Sequence, residues 1–188
     1  MKKEIEIEVS ARHIHFSKND FELLFGKDTS FEQLHELSQS GEFSTDKKVE
    51  IVGPKGKIEA RFLSPFRERT QVELSATDCF SIGVEAPYEI DAFKGAASIK
   101  IRGPQGEIER KSAIVAKRHL HANPIEAEYL GITEGQQLSI VTQTERGTVY
   151  FKNVTVKIKK NFHLRVHLDT DEGNAAGIKG SITGELIV

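Results

Sequence analysis

Charged and aliphatic residues alternate through "EIEIEVS" from Glu4 to Ser10, the period of a strand with one buried face. After His15 the period changes. "SKNDFELLFG" offers Ser17 as N-cap, Asp20 three residues on, an apolar face of Phe21, Leu23, Leu24 and Phe25, and Gly26 as a stop, so a short helix is expected. "SFEQLHELS" (Ser30 to Ser38) predicts a second helix. "NPIEAEYLG" predicts a third, with Asn123 as cap, Pro124 at the first position and Gly131 at the end. Most of the remainder alternates at period two. "KKVEIVGPKGKIEARFL" and "ASIKIRGPQGEIERKSAIV" each bend at Gly-Pro-x-Gly, a hairpin signal, and neither turn opens a helix as a phosphate loop would. "RTQVELS", "QLSIVTQ", "GTVYFKNVTVKIKK" and "FHLRVHL" add further strands. Short strands between turns, with few short helices, predict a mainly β protein of small barrels.

The order of elements repeats. A strand, "RHIH", a helix, hairpin strands and "RTQVELSATD" in the first half correspond to a strand, "RHLH", a helix, hairpin strands and "HLRVHLDTDE" in the second. Aligning "QVELSATD" with "RVHLDTDE" sets Glu73 against His167. On a strand His13 and His15 share one face and Ile14 takes the other; His119, His121 and Leu120 do the same. Each half therefore offers two imidazoles and one further metal-capable side chain. The expected ligand sets are His13, His15 and Glu73, and His119, His121 and His167. Three protein ligands leave a position open for substrate, the arrangement of catalytic zinc sites, although these donors also suit Fe, Ni, Co and Mn. If the segment before Glu73 is extended, Arg67, Arg69 and Gln71 share its face, and an arginine fork beside a metal suits phosphate or carboxylate. His35 falls on the second predicted helix with no partner. His163 shares the parity of His167, but its counterpart in the repeat is Arg69, so it is left out of the site.

Bulk properties narrow the classes. The chain has 188 residues and a net charge of −2, which gives no basic footprint for nucleic acid. No apolar run approaches a membrane span. The single Cys79 excludes an internal disulfide and reads as a buried structural thiol; a cytoplasmic location is expected.

The segments "VSARHIHFS", "RTQVELSATD", "KRHLH" and "VHLDTDEGNAAG" resemble, in order and spacing, the PduL-like phosphotransacylases, or phosphate propanoyltransferases, over nearly the whole chain. The resemblance implies exchange of an acetyl or propanoyl group between coenzyme A and inorganic phosphate. It implies two zinc ions held between two β-barrels by the six residues above, and Arg67 in contact with phosphate. It also implies an exchanged N-terminal strand, with residues 12–116 forming one domain and 1–11 with 117–188 the other. Packaged members of the family carry an extra N-terminal segment, and with the sequence starting on the first strand no such microcompartment-targeting extension is expected. Acyl-CoA and phosphate are the expected partners, with a homodimer also considered. Ala11, Gly95-Ala96 and "ANPIEAEYLG" depart from the family's usual residues. Two other readings use the same ligands: a dinuclear zinc hydrolase, and a cupin-like barrel with one metal.

Overall fold

The computed structural model describes residues 2–91 and 95–187. In chain order the strands are β1 Lys2–Val9, β2 His13–His15, β3 Gln33–Glu36, β4 Phe43–Gly53, β5 Gly56–Ser64, β6 Gln71–Leu74, β7 Tyr88–Glu89, β8 Ala97–Arg102, β9 Glu107–Ala116, β10 His119–Ala122, β11 Gln137–Thr144, β12 Gly147–Ile158, β13 Arg165–Leu168 and β14 Ser181–Ile187. The helices are α1 Lys18–Phe25, α2 Ala76–Ile82, α3 Pro124–Leu130 and α4 Thr170–Ala176. The chain divides into two compact units. Unit 1 comprises Met1–Ala11, Ser38–Ser40 and Lys117–Val188; unit 2 comprises Arg12–Leu37 and Gly41–Ala116.

Each unit contains a closed β-barrel. In unit 1 the order around the barrel is β1-β13-β10-β12-β11-β14. In unit 2 it is β4-β5-β2-β6-β9, closed by β8, which pairs with both β4 and β9. The pairings match one for one. β2 lies parallel to β5 and antiparallel to β6, as β10 does to β12 and β13. β9 lies parallel to β6 and antiparallel to β8, as β1 does to β13 and β14. The strand before each His-x-His motif thus closes the other repeat's barrel. This is a duplication with reciprocal strand exchange.

Local chemistry explains the elements. Ile5 and Ile7 are buried while Glu4 and Glu6 face solvent, as alternation requires. Ser17, Ser75, Asn123 and Asp169 each accept a hydrogen bond from the N–H three residues on. The two Gly-Pro-x-Gly hairpins have a second role: each receives the end of a helix. The Lys55 N–H donates to the Ile82 carbonyl of α2 (2.9 Å), and the Gln105 N–H to the Leu24 carbonyl of α1 (3.0 Å). A Cβ at Gly53 or Gly103 would collide with those helix ends, so the glycines permit close approach.

The middle residue of each histidine motif anchors a core. Ile14 is fully buried in a cluster with Phe16, Phe21, Phe25 and Phe62; Leu120 is fully buried in the other, with Ile7, Val156 and Val166. Phe31 and Phe66 extend the phenylalanine cluster, with ring centroids 4.7–6.1 Å apart.

The segment expected as a second helix, Ser30 to Ser38, is not helical. Gln33–Glu36 is β3, exposed throughout, and Leu37 N–H donates to the Glu42 carbonyl beside it. Glu32 and Asp46 tie the segment to β4 through Glu32 N–H to Asp46 Oδ1 (2.8 Å). A helix this short needs a core for its apolar face, and Leu34 and His35 have none here; hairpin pairing wins. His35 is accordingly an exposed strand residue. α2 and α4 were not anticipated.

Candidate functional site

In unit 2 the barrel register sets His13 opposite Glu73 across β2 and β6. Ile14 points into the core, so both flanking imidazoles take the other face and lie edge-on at 4.9 Å between centroids. His13 and His15 are nonetheless buried, and Glu73 is half-buried. One ligand atom from each of His13, His15 and Glu73 lies within 4.8 Å of the others, a cluster that could hold a metal ion. Among the described residues no other trio of His, Cys, Asp or Glu converges so tightly.

Surrounding groups fix the donors. His15 Nδ1 lies 3.1 Å from the Leu63 carbonyl, which can only accept, so Nδ1 carries the proton and Nε2 the lone pair. Burial, then the charges of Arg67 and His13, hold the His15 imidazole well below its usual range; it is neutral, as a ligand must be. Burial pushes the Glu73 carboxyl up, but His13, by charge and hydrogen bond, with the Arg67 charge, outweighs it and holds Glu73 well below the carboxylate range. Gln71 Nε2 donates to Glu73 Oε1 (2.6 Å), and His13 Nε2 lies 3.5 Å from Glu73 Oε2.

Arg67 reaches this site by a route the alternation argument did not contain. The strand begins only at Gln71, so Arg67 and Arg69 precede it in irregular chain and do not share Glu73's face by strand parity. Instead, the Arg67 N–H donates to the carbonyl of Phe16, the residue after His15 (2.8 Å). Its guanidinium is then near enough for its charge to act on His15 and Glu73, while Nη2 faces Glu42 Oε1 at 3.5 Å.

Unit 1 reproduces the frame. His119 stands opposite His167 across β10 and β13, the register His13 shares with Glu73. The ring centroids of His119, His121 and His167 are 4.7–5.2 Å apart, and the donor set, three imidazoles, suits a transition metal. Among the described residues the tight convergence of donor atoms belongs to the first trio alone. His119 Nδ1 lies 2.9 Å from the Lys117 carbonyl, which leaves the lone pair on Nε2 as at His15. Phe162 stacks on His121 at 3.7 Å. His163, left out on sequence grounds, precedes β13 and is exposed.

Three groups of this neighbourhood were not singled out from sequence. The arginine preceding each histidine pair grips the capping box of the helix that follows the third candidate ligand. Arg12 Nη1 donates to Asp78 (2.8 Å) and Arg118 Nε to Glu172 (2.5 Å); each also donates to a carbonyl of the neighbouring strand, Glu59 or Lys152. Recurrence of "RH" with Ser75-x-x-Asp78 and Asp169-x-x-Glu172 was the available signal. Gln39 is the third, buried against His163 and His167, and had none. Cys79 is buried in α2.

A model of the family described as phosphate propanoyltransferase matches residues 6–179. The phosphate propanoyltransferase of Thermotoga maritima is 39% identical over 186 residues, covering 97% of this chain and 87% of that protein. That of Alkaliphilus metalliredigens is 38% identical over 187 residues, covering 98% and 88%. That of Salmonella typhimurium is 38% identical over 176 residues, covering 92% and 83%.

Proposed function

The chain belongs to the phosphate propanoyltransferase family and is an acyltransferase, and from that premise we propose that it exchanges an acetyl or propanoyl group between coenzyme A and inorganic phosphate with the help of two zinc ions. His13, His15 and Glu73 would hold one ion, and His119, His121 and His167 the other. The convergence of His13, His15 and Glu73 within 4.8 Å carries the reading. When bound, zinc would supply charge stabilisation for the departing thiolate and a template for phosphate.

The chain's own residues do the rest. The Arg67 guanidinium, a planar fork, exchanges its Glu42 carboxylate for phosphate and orients one phosphate oxygen toward the thioester carbonyl. That oxygen bonds to the carbonyl carbon, the C–S bond breaks, and the electron pair leaves with sulfur; acyl phosphate and CoA result. The buried, neutral His15 and anionic Glu73 offer two of the three donors free of competing protons at neutral pH. Gln71 holds Glu73 by one carboxylate oxygen and leaves the other to face His13. Cys79 faces the core from α2, so it cannot serve as an acyl acceptor, and transfer is direct.

The test is release of CoA from acetyl-, propanoyl- and butanoyl-CoA, with and without phosphate and chelator. The proposal expects release that requires phosphate, yields acyl phosphate, favours the two shorter acyl groups and stops with chelator. Release of free acid without phosphate would instead identify a hydrolase.

A further inference from the structure

Ser38–Ser40 is a three-residue piece of the first repeat that packs within unit 1. Its centre, Gln39, is 2% exposed. The Gln39 amide makes a two-way pairing with the backbone of His163: Oε1 accepts from the His163 N–H (3.0 Å), and Nε2 donates to the His163 carbonyl (3.3 Å). Rotating the amide by a half-turn would set donor against donor and acceptor against acceptor, so its orientation is fixed. The group it turns toward His167 Nε2, at 3.5 Å, is therefore an N–H and must meet a lone pair. Ser40 Oγ, 2.6 Å from His163 Nε2, pins the next residue to the same turn. Phe162, preceding His163, stacks on His121.

We propose that Gln39 is a positioning residue for His167, holding its imidazole as the tautomer with the proton on Nδ1 and the lone pair on Nε2. His119 is set the same way by the Lys117 carbonyl, and His15 by that of Leu63. The third candidate ligand of each repeat is thus met by a glutamine amide: Glu73 by Gln71, from the same strand, and His167 by Gln39, from the other repeat. The tautomer stands without any metal. Its consequence for metal rests on the proposed reading of His167 as a ligand: this tautomer offers Nε2, and the ion would take that lone pair from the Gln39 amide.

The test uses metal-free protein labelled with ¹⁵N in histidine, with long-range ¹H–¹⁵N correlation of the imidazoles and His167→Gln for assignment. Wild type is expected to show an unprotonated Nε2 at His167. Gln39→Leu removes the donor and should move His167 toward the Nε2–H form. Gln39→Glu still accepts from the His163 N–H but presents an acceptor to His167, and should give Nε2–H as well; it carries the test if the leucine variant does not fold. A wild-type His167 protonated at Nε2, or a tautomer unchanged in both variants, overturns the proposal. Zinc titration adds a separate readout. Gln39→Leu removes the N–H that competes with the ion for the Nε2 lone pair, so one of two zinc equivalents should tighten by roughly 2–10-fold and the other stay unchanged. Equal weakening of both would reveal general loosening and count against positioning. A changed tautomer with unchanged zinc affinity supports the positioning of His167 and removes His167 from the ligand set.

Discussion

Replacing Ile14 by alanine tests whether the first histidine pair is held in place by the core beneath it. Ile14 is fully buried, sits between His13 and His15, and packs in the cluster that contains Phe16 and Phe62. The substitution removes three carbon atoms, a transfer loss of about 2.4 kcal/mol at ~0.8 kcal/mol per buried methylene. The surrounding phenylalanines are locked in mutual ring contacts, so the cavity cannot collapse fully, and the total cost is about 3–4 kcal/mol. With a urea m-value of about 2 kcal/mol per molar, the unfolding midpoint of unit 2 should fall by roughly 1.5–2 M. Ile14→Val should cost only about 1 kcal/mol. Urea unfolding followed by circular dichroism reads both. The same variant should bind metal more weakly, because the strand that aims both imidazoles loses its anchor. A cost below about 1 kcal/mol for alanine would show that the motif is held by its edge pairings and not by its core residue.

Arg67→Met should raise the KM for phosphate at least tenfold with a smaller change in the KM for acyl-CoA; equal effects on both would deny it a phosphate-orienting role. Asp20→Asn should destabilise unit 2 by about 2–3 kcal/mol, measured by urea unfolding. The carboxylate is buried, receives Arg110 through two nitrogens and Thr70 at 2.6 Å, and Arg110 retains access to water, which lowers the loss below that of a fully buried pair. No cost beyond about 0.5 kcal/mol would mean the network is dispensable. Acidification of the metal-free protein gives a signed test of His15. Its folded form resists protonation while the unfolded imidazole titrates near 6.5, so its contribution is complete above that pH and is lost progressively as pH falls below it. Burial raises Asp169 and Glu172, which titrate with the opposite sign, so the comparison is between wild type and His15→Gln. The difference in stability between the two should shrink from pH 7.5 to 5.5; a constant difference would contradict a depressed His15.

Much of the barrel framework was legible because it is written in short-range pattern. Alternation in β1, the Gly-Pro-x-Gly hairpins and the capping signal at Ser17 each depend on neighbours within a few residues. The equivalence of Glu73 and His167 came from repeat alignment, and the shared register opposite His13 and His119 bears out that correspondence. What pattern could not supply were features decided at long range. The Ser30 to Ser38 segment has helical composition but no core to face, and β4 captures it as β3. α2 and α4 begin in capping boxes that the alternating residues before them disguise as strand continuations. Arg67 reaches its place through a backbone bond to Phe16 rather than through parity. Gln39 acts on residues more than 120 positions away, which no local period encodes.

The central claim is that each repeat furnishes one three-donor zinc site. Native mass spectrometry of zinc-loaded protein counts the ions directly, in wild type, in Glu73→Gln and in His167→Gln. The account predicts two ions in wild type and one in each variant. A single ion in wild type, or loss of both ions from either substitution, would contradict it.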